Sequence, residues 1–333
     1  MSDTDAGDLL APPPRPKTGV RWKAVVGLLG VVGLTIATAS TVDDIKGRAL
    51  PGWGPVVAAL VLQTAAMVVA ARAWVSLFPP RADRAALASA LYTSQLTKYL
   101  PAGGFVQAAS QVALSSHEGS MVAAALRLPV FSLSTVVAAF SLGSTLMFNT
   151  SLPAWGRVLA GCGILTVALL DRRMLASALR AARRVVHRLP APDNLPPQRA
   201  ILRCYGLMLV SLVATSAGFA LMLRDVADVN LVFAGAAFCA GWAGGYLALP
   251  IPSGLFVREA VLIGALPSLA TGTLLAASVA QRIVGFVAEA LLAGVSYLRA
   301  VVARRTVSKR ATDDVAVPDG ARSYDMYDPP HHG

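Results

Sequence analysis

In the stretch PSGLFVREA, residues 252 to 260, Arg258 and Glu259 stand side by side between two strongly apolar runs. Four more charged residues, Lys98, Arg127, Arg282 and Glu289, are set in equally apolar surroundings. At the centre of an inserted helix each such charge costs about 2.5 to 3.5 kcal/mol if it faces lipid unpaired. Six such costs together are prohibitive, so these groups must face inward, pair with one another, or meet water or a charged ligand. Four cations against two anions leave a positive balance that suits a phosphate.

Two arrangements satisfy that requirement. Arg282 and Glu289 are seven residues apart and share a helix face, so structural ion pairs with Arg258 and Glu259 are one reading and a ligand site is the other. Lys98 and Arg127 lie near the ends of their apolar segments, where a long side chain can also reach the headgroups. A second stretch, PAGGFVQAA at residues 101 to 109, agrees with PSGLFVREA at five of nine positions without gaps. Pro at a helix start loses nothing by lacking an N–H, and the following Gly lets a ligand approach the backbone closely. The free N–H groups of such a helix start attract an anion, and two such starts would face each other. In hydrocarbon these breaks persist only where protein, water or ligand supplies hydrogen-bond partners.

Other chemistries are not supported. His117, His187, His331 and His332 fall in loops or the tail, with no HExxH, no paired catalytic carboxylates and no phosphate-binding GxxxxGK[ST] loop. The chain therefore reads as a non-enzyme without metal or cofactor. Cys162, Cys204 and Cys239 are far apart within apolar runs and read as small core residues. The net charge of +11 comes from Lys and Arg gathered at the ends of apolar runs, which sets membrane orientation and does not imply nucleic acid.

The elements that must position the charged groups are membrane helices. The 333 residues are 55% hydrophobic and 14% charged, with a mean hydropathy of +0.60, outside the range of a soluble domain. Apolar runs long enough for the ~20 residues a helix needs to cross a bilayer recur from Trp22 to Ala300, leaving no separate catalytic module between them. Residues 1–23 read as a disordered cytoplasmic tail, and the run at about 24 to 40 as a retained first span, not a cleaved signal. Basic loops orient the rest. A span at about 54 to 77 returns to Arg81 and Arg84 inside; residues 85 to 117 form two short segments broken at 99–104; a span covers about 120 to 147. A span at about 155 to 170 ends at Arg172, Arg173, Arg180, Arg183, Arg184 and Arg188. Leu175, Leu179, Val186 and Leu189 in this connection share a face, which predicts a helix along the cytoplasmic headgroups. A span at about 202 to 223, a pair of segments at 229 to 266 broken at 249–254, and a final span at about 272 to 298 complete the set.

The expected fold is thus an all-α polytopic membrane protein with about six full spans and two broken re-entrant helical hairpins. Its halves, about 24–147 and 155–298, form an inverted-topology repeat with one hairpin opening inside and the other outside. Residues 301–333 read as a basic, then disordered, cytoplasmic tail. Gly27, Gly30 and Gly33, like Gly241, Gly244 and Gly245, are expected to permit close helix packing.

Three segments, LTKYLPAGGFVQAASQVALSSHEG, AGGYLALPIPSGLFVREAVLIGAL and AQRIVGFVAEAL, resemble motifs of the lysylphosphatidylglycerol synthase transmembrane domain family of flippase-like integral membrane proteins. The resemblance extends over roughly residues 20 to 300. It implies that Lys98, Tyr99, Pro101 and Gly103, Pro252, Gly254, Arg258 and Glu259, and Arg282 serve lipid binding and transport; Glu289 joins them as the remaining buried anion. The chain departs from the family pattern at Ala102, Phe256 and Gln111, positions that bear on which headgroup fits. The aminoacyl-transfer domain of the full-length synthases is not in this sequence. The expectation is therefore movement of an anionic or headgroup-modified lipid, held by its phosphate, between leaflets of a bacterial cytoplasmic membrane with both termini inside. The alternative is a non-transporting accessory or scaffold subunit, partnered by envelope-biosynthesis enzymes of a glycolipid or polysaccharide pathway.

Overall fold

The computed structural model describes residues 50–98, 103–116, 121–185, 191, 194–247 and 257–315. The regular structure among them is entirely helical. The expected first span at 24–40, Gly27, Gly30, Gly33, the residues of both hairpin turns and residues 1–23 and 316–333 lie outside the described residues. The chain divides into two units at Ala293 and Gly294, and all side-chain contacts given below belong to the first.

The α-helices among the described residues are, in order, α1 Trp53–Val75, α2 Arg84–Thr97, α3 Gly103–Ser115, α4 Met121–Gly143, α5 Ala154–Cys162, α6 Arg172–Val185, α7 Gln198–Val226, α8 Leu231–Leu247, α9 Val257–Ala265 and α10 Thr271–Val315. Tighter 3-10 turns extend α4 through Ser144–Phe148 and α5 through Gly163–Leu170. Among the described residues, four helices are long and apolar enough to cross a membrane: Trp53–Val75, Met121–Phe148, Gln198–Val226 and Thr271–Arg299. Ala154–Leu170 and Leu231–Leu247 are apolar but shorter.

Local chemistry fixes the starts. Asp83 caps α2 by accepting from the N–H groups of Ala85 (2.8 Å) and Ala86 (3.1 Å), and Asn230 caps α8 through Val232 (2.9 Å) and Phe233 (3.3 Å). Each side-chain oxygen satisfies donors that a helix start otherwise leaves open. Pro153 and Pro197 precede α5 and α7, where a missing N–H costs nothing.

Helix α7 packs against α1, α4 and α8. Small residues let it do so, as is usual where apolar helices cannot gain by leaving water. A Cβ on Gly218 of α7 would stand 3.1 Å from Ala59 Cα of α1, so the two backbones nearly touch. Ser211 Oγ donates to the Ala66 carbonyl at 2.9 Å, and the Gly52 N–H donates to the Asp225 carboxylate at 2.7 Å, tying the start of α1 to the end of α7. Tyr205 OH donates to Ser141 Oγ of α4 at 3.0 Å. Trp74, Phe219 and Phe238 fill the buried core, and Phe78 and Phe131 meet Trp74 edge-on at 5.0 and 5.5 Å, a favoured aromatic geometry.

One difference from expectation has a simple cause. Helix α10 runs past its expected end near residue 298 to Val315, because no Gly or Pro interrupts it between residues 295 and 315 and the basic stretch is rich in good helix formers. On α6 the predicted apolar face exists, with Leu175 and Leu179 packed against the protein core and Arg172, Arg173, Arg180 and Arg184 exposed. Val186 and Leu189 lie outside the described residues.

Candidate functional site

The second hairpin is built on two glycines. A Cβ at Gly241 of α8 would meet the Arg258 carbonyl oxygen at 2.9 Å, and one at Gly244 would meet Val261 Cγ2 at 3.2 Å. With hydrogen at both positions α9 lies directly on α8. Arg258, near the start of α9, then crosses the ring of Phe238, one turn before Gly241, with its guanidinium carbon 4.4 Å from the ring centroid. The aromatic face offsets part of the cost of holding this cation away from water. Nε and Nη2 of Arg258 are nevertheless shielded and have no hydrogen-bond partner among the described residues. Two charged donors are left open in a place where an unmet donor is costly.

The neighbouring Glu259 is engaged. Its Oε1 accepts from Arg282 Nη2 at 2.7 Å and from Ser278 Oγ at 2.9 Å, both one turn apart on α10. Arg258 lies within electrostatic reach of both members of this pair. Seven residues beyond Arg282, about 10 Å along the helix axis, Glu289 of α10 turns to the other hairpin. Its Oε1 accepts from Nζ of Lys98, the C-cap residue of α2, at 2.5 Å. Between the two pairs and α1, Gln281 Nε2 donates to Gln63 Oε1 at 3.0 Å. One helix therefore offers a cation to the second hairpin and an anion to the first, along a polar strip of Ser278, Gln281, Arg282 and Glu289.

The limbs of the first hairpin meet through the Thr97 and Ser110 hydroxyls at 3.1 Å. Gly103 opens α3, while Tyr99, Pro101, Pro252 and Gly254 lie outside the described residues. Gln111 is buried on α3 with its Nε2 lacking a partner among the described residues.

The structure brings together Lys98 with Glu289, and Glu259 with Arg282 beside Arg258. It settles three alternatives. Lys98 is held by Glu289. Glu289 pairs across to α2 and not with Arg258. Arg127 is a structural clamp: its Nε donates to the Leu77 carbonyl at 2.8 Å and its guanidinium lies 4.6 Å over the Phe78 ring, closing the end of α1. Cys204 and Cys239 are buried as expected, whereas Cys162 is exposed because α5 covers little of itself against its neighbours. Sequence reasoning missed Ser278 and Phe238. Ser278 carried a signal, standing four residues before Arg282 on the same face; Phe238 carried none, because its partner comes from another helix.

With four membrane-length helices and two partly buried ion pairs among the described residues, the chain has the character of a membrane protein. No model of a known protein family matches it, and no curated protein matches it either.

Proposed function

We propose that the protein moves an anionic or headgroup-modified lipid between the leaflets of a bacterial cytoplasmic membrane, and that Arg258 receives the lipid phosphate. The observation that carries this reading is the state of Arg258: a guanidinium at the start of α9 with two shielded donors that have no partner among the described residues. A phosphate supplies the acceptors those donors lack and matches the guanidinium fork. Arg282 lies next to it, held by Glu259 and Ser278, so an incoming anion finds a second cation already oriented. The motif resemblance to flippase-like membrane domains points the same way.

The proposed topology has about six spans, two re-entrant hairpins and both termini cytoplasmic. The element order supports it: a long helix, two short ones and a long helix occur in α1 to α4 and again in α7 to α10. Segment 154–170 is short by residue count, but its 3-10 half rises about 2.0 Å per residue, so it reaches roughly 30 Å, a bilayer core. The reaction is a movement and not a bond change, so the protein is proposed as a non-enzyme whose partner is the lipid.

Leaflet exchange of fluorescent phosphatidylglycerol in liposomes carrying the purified protein is the test. Exchange faster than in protein-free vesicles, and faster for anionic than for zwitterionic headgroups, is the expected result. A folded protein that leaves exchange at the protein-free rate overturns the transport reading in favour of an accessory role beside envelope-biosynthesis enzymes.

A further inference from the structure

Glu289 is half satisfied. Its side chain is 4% exposed on a membrane-length helix; Oε1 holds Lys98, and Oε2 is shielded with no hydrogen-bond partner among the described residues. Lys98 stands at the opposite extreme, 31% exposed at the C-cap of α2, immediately before the break of the first hairpin. One end of the pair is dry and the other is open. A carboxylate in a dry site stays anionic only while its cation is present, because desolvation otherwise favours the neutral acid. Parting α2 from α10 would leave that carboxylate without its cation.

The Glu259 and Arg282 pair has no such property. Glu259 Oε1 has two donors, and its partner guanidinium keeps its charge in proteins. Lys98 is the charged group that faces Glu289 from α2. On its own helix the next charge toward the site is Arg282, two turns back and held by Glu259 of α9; Gln63 and Gln281, where α1 meets α10, are uncharged.

Resting on the transport reading above, we propose that Glu289 is a proton-binding site and that the Lys98–Glu289 pair couples lipid movement to a proton gradient. With the pair closed, Glu289 is anionic and Lys98 cationic. When it opens, one proton passes from water to the Glu289 carboxylate, Lys98 turns to water, and the buried acid is neutral. Closing returns that proton to water. No other bond forms or breaks.

The full-length protein in liposomes, with fluorescent phosphatidylglycerol and an imposed pH gradient, shows an exchange rate that changes several-fold with the gradient; a sodium gradient at constant pH changes nothing. Glu289→Gln keeps an acceptor for Lys98 but cannot titrate, and it removes the gradient response whatever its residual rate. A second readout does not depend on transport: infrared difference spectra between acidic and alkaline buffer contain a protonated-carboxyl band that Glu289→Gln eliminates. Exchange in the wild type that ignores the pH gradient, or responds to sodium instead, overturns the proton site and leaves the transport reading standing. No exchange at all from a folded wild type overturns the transport reading, and the coupling with it. A carboxyl band that survives in Glu289→Gln places the proton elsewhere and overturns the assignment.

Discussion

In the first hairpin the charge, Lys98, closes the limb before the break, and α3 after it carries only neutral polar groups such as Gln107 and Gln111. In the second, α8 before the break has no charge, and α9 after it opens with Arg258 and Glu259. Helix α10 answers each hairpin with the opposite sign, Glu289 to Lys98 and Arg282 to Glu259. The answer is complete for the first hairpin and incomplete for the second, where Arg258 is left over. Where the motifs align, Gln107 occupies the place of Arg258. Only the second hairpin retains a spare cation, so on the proposed reading the anion binds there.

The largest effect is expected from breaking the pair that cannot neutralise itself. Glu259→Gln leaves Arg282 and Arg258 as two uncompensated neighbours, and the loss approaches the roughly 3 to 5 kcal/mol of a broken buried pair. It falls at the low end because the Arg282 side chain is 27% exposed. Lys98→Gln costs less, because it leaves one unpaired charge where Glu259→Gln leaves two neighbouring cations. Melting temperatures of both variants in one detergent decide the order; equal losses would erase the distinction between the two pairs. The double variant Glu259→Gln with Arg282→Gln recovers stability relative to Glu259→Gln alone, the sign of a coupled pair in a double-mutant cycle.

Glycine substitutions separate the hairpins next. Gly241→Ala drives a methyl against the Arg258 carbonyl oxygen, which is backbone and cannot swing aside. A loss of about 1 to 3 kcal/mol is expected, as for an overpacked core. Gly104→Ala in α3 meets nothing within 4 Å and gains up to about 1 kcal/mol from better helix propensity. If Gly104→Ala destabilises as much as Gly241→Ala, the close packing assigned to the second hairpin is not specific to it.

Smaller still are the caps, in which the hairpins agree. Asp83→Ala and Asn230→Ala each remove a side chain bonded to two backbone N–H groups, and each should cost about 1 kcal/mol. Chemical denaturation resolves such differences. A cap loss as large as that of Glu259→Gln would mean that these helix starts, and not the ion pairs, hold the hairpins.

The breaks expected from Pro and Gly at 99–104 and 249–254 lie largely outside the described residues, whereas the long helices were legible because hydropathy persists for roughly 20 residues or more. Pairing was legible only in part: an ion pair of Arg282 with Glu259 was among the expected arrangements, but the partner of Lys98 was not. Lys98 and Glu289 are separated by 191 residues, and nothing local selects Glu289 over Glu259 as the partner of Lys98. The choice depends on how α10 is rotated against both hairpins. Hydropathy predicted a final span near 272 to 298, but a helix needs no membrane to continue, so α10 extends until its sequence stops it. The four-to-two charge count did anticipate a surplus cation, and packing decided that it is Arg258, with Arg127 tied to a carbonyl instead.

Leaflet exchange by Arg258→Gln, compared with the wild type at matched reconstitution and matched melting temperature, tests the central claim most directly. The substitution places in the second hairpin the residue that the first already carries at position 107, and it removes the cation while leaving the members of both ion pairs in place. The account predicts a folded, inserted protein in which exchange of fluorescent phosphatidylglycerol drops to the protein-free rate. A folded Arg258→Gln that exchanges the lipid as fast as the wild type would contradict it and make Arg258 a packing residue.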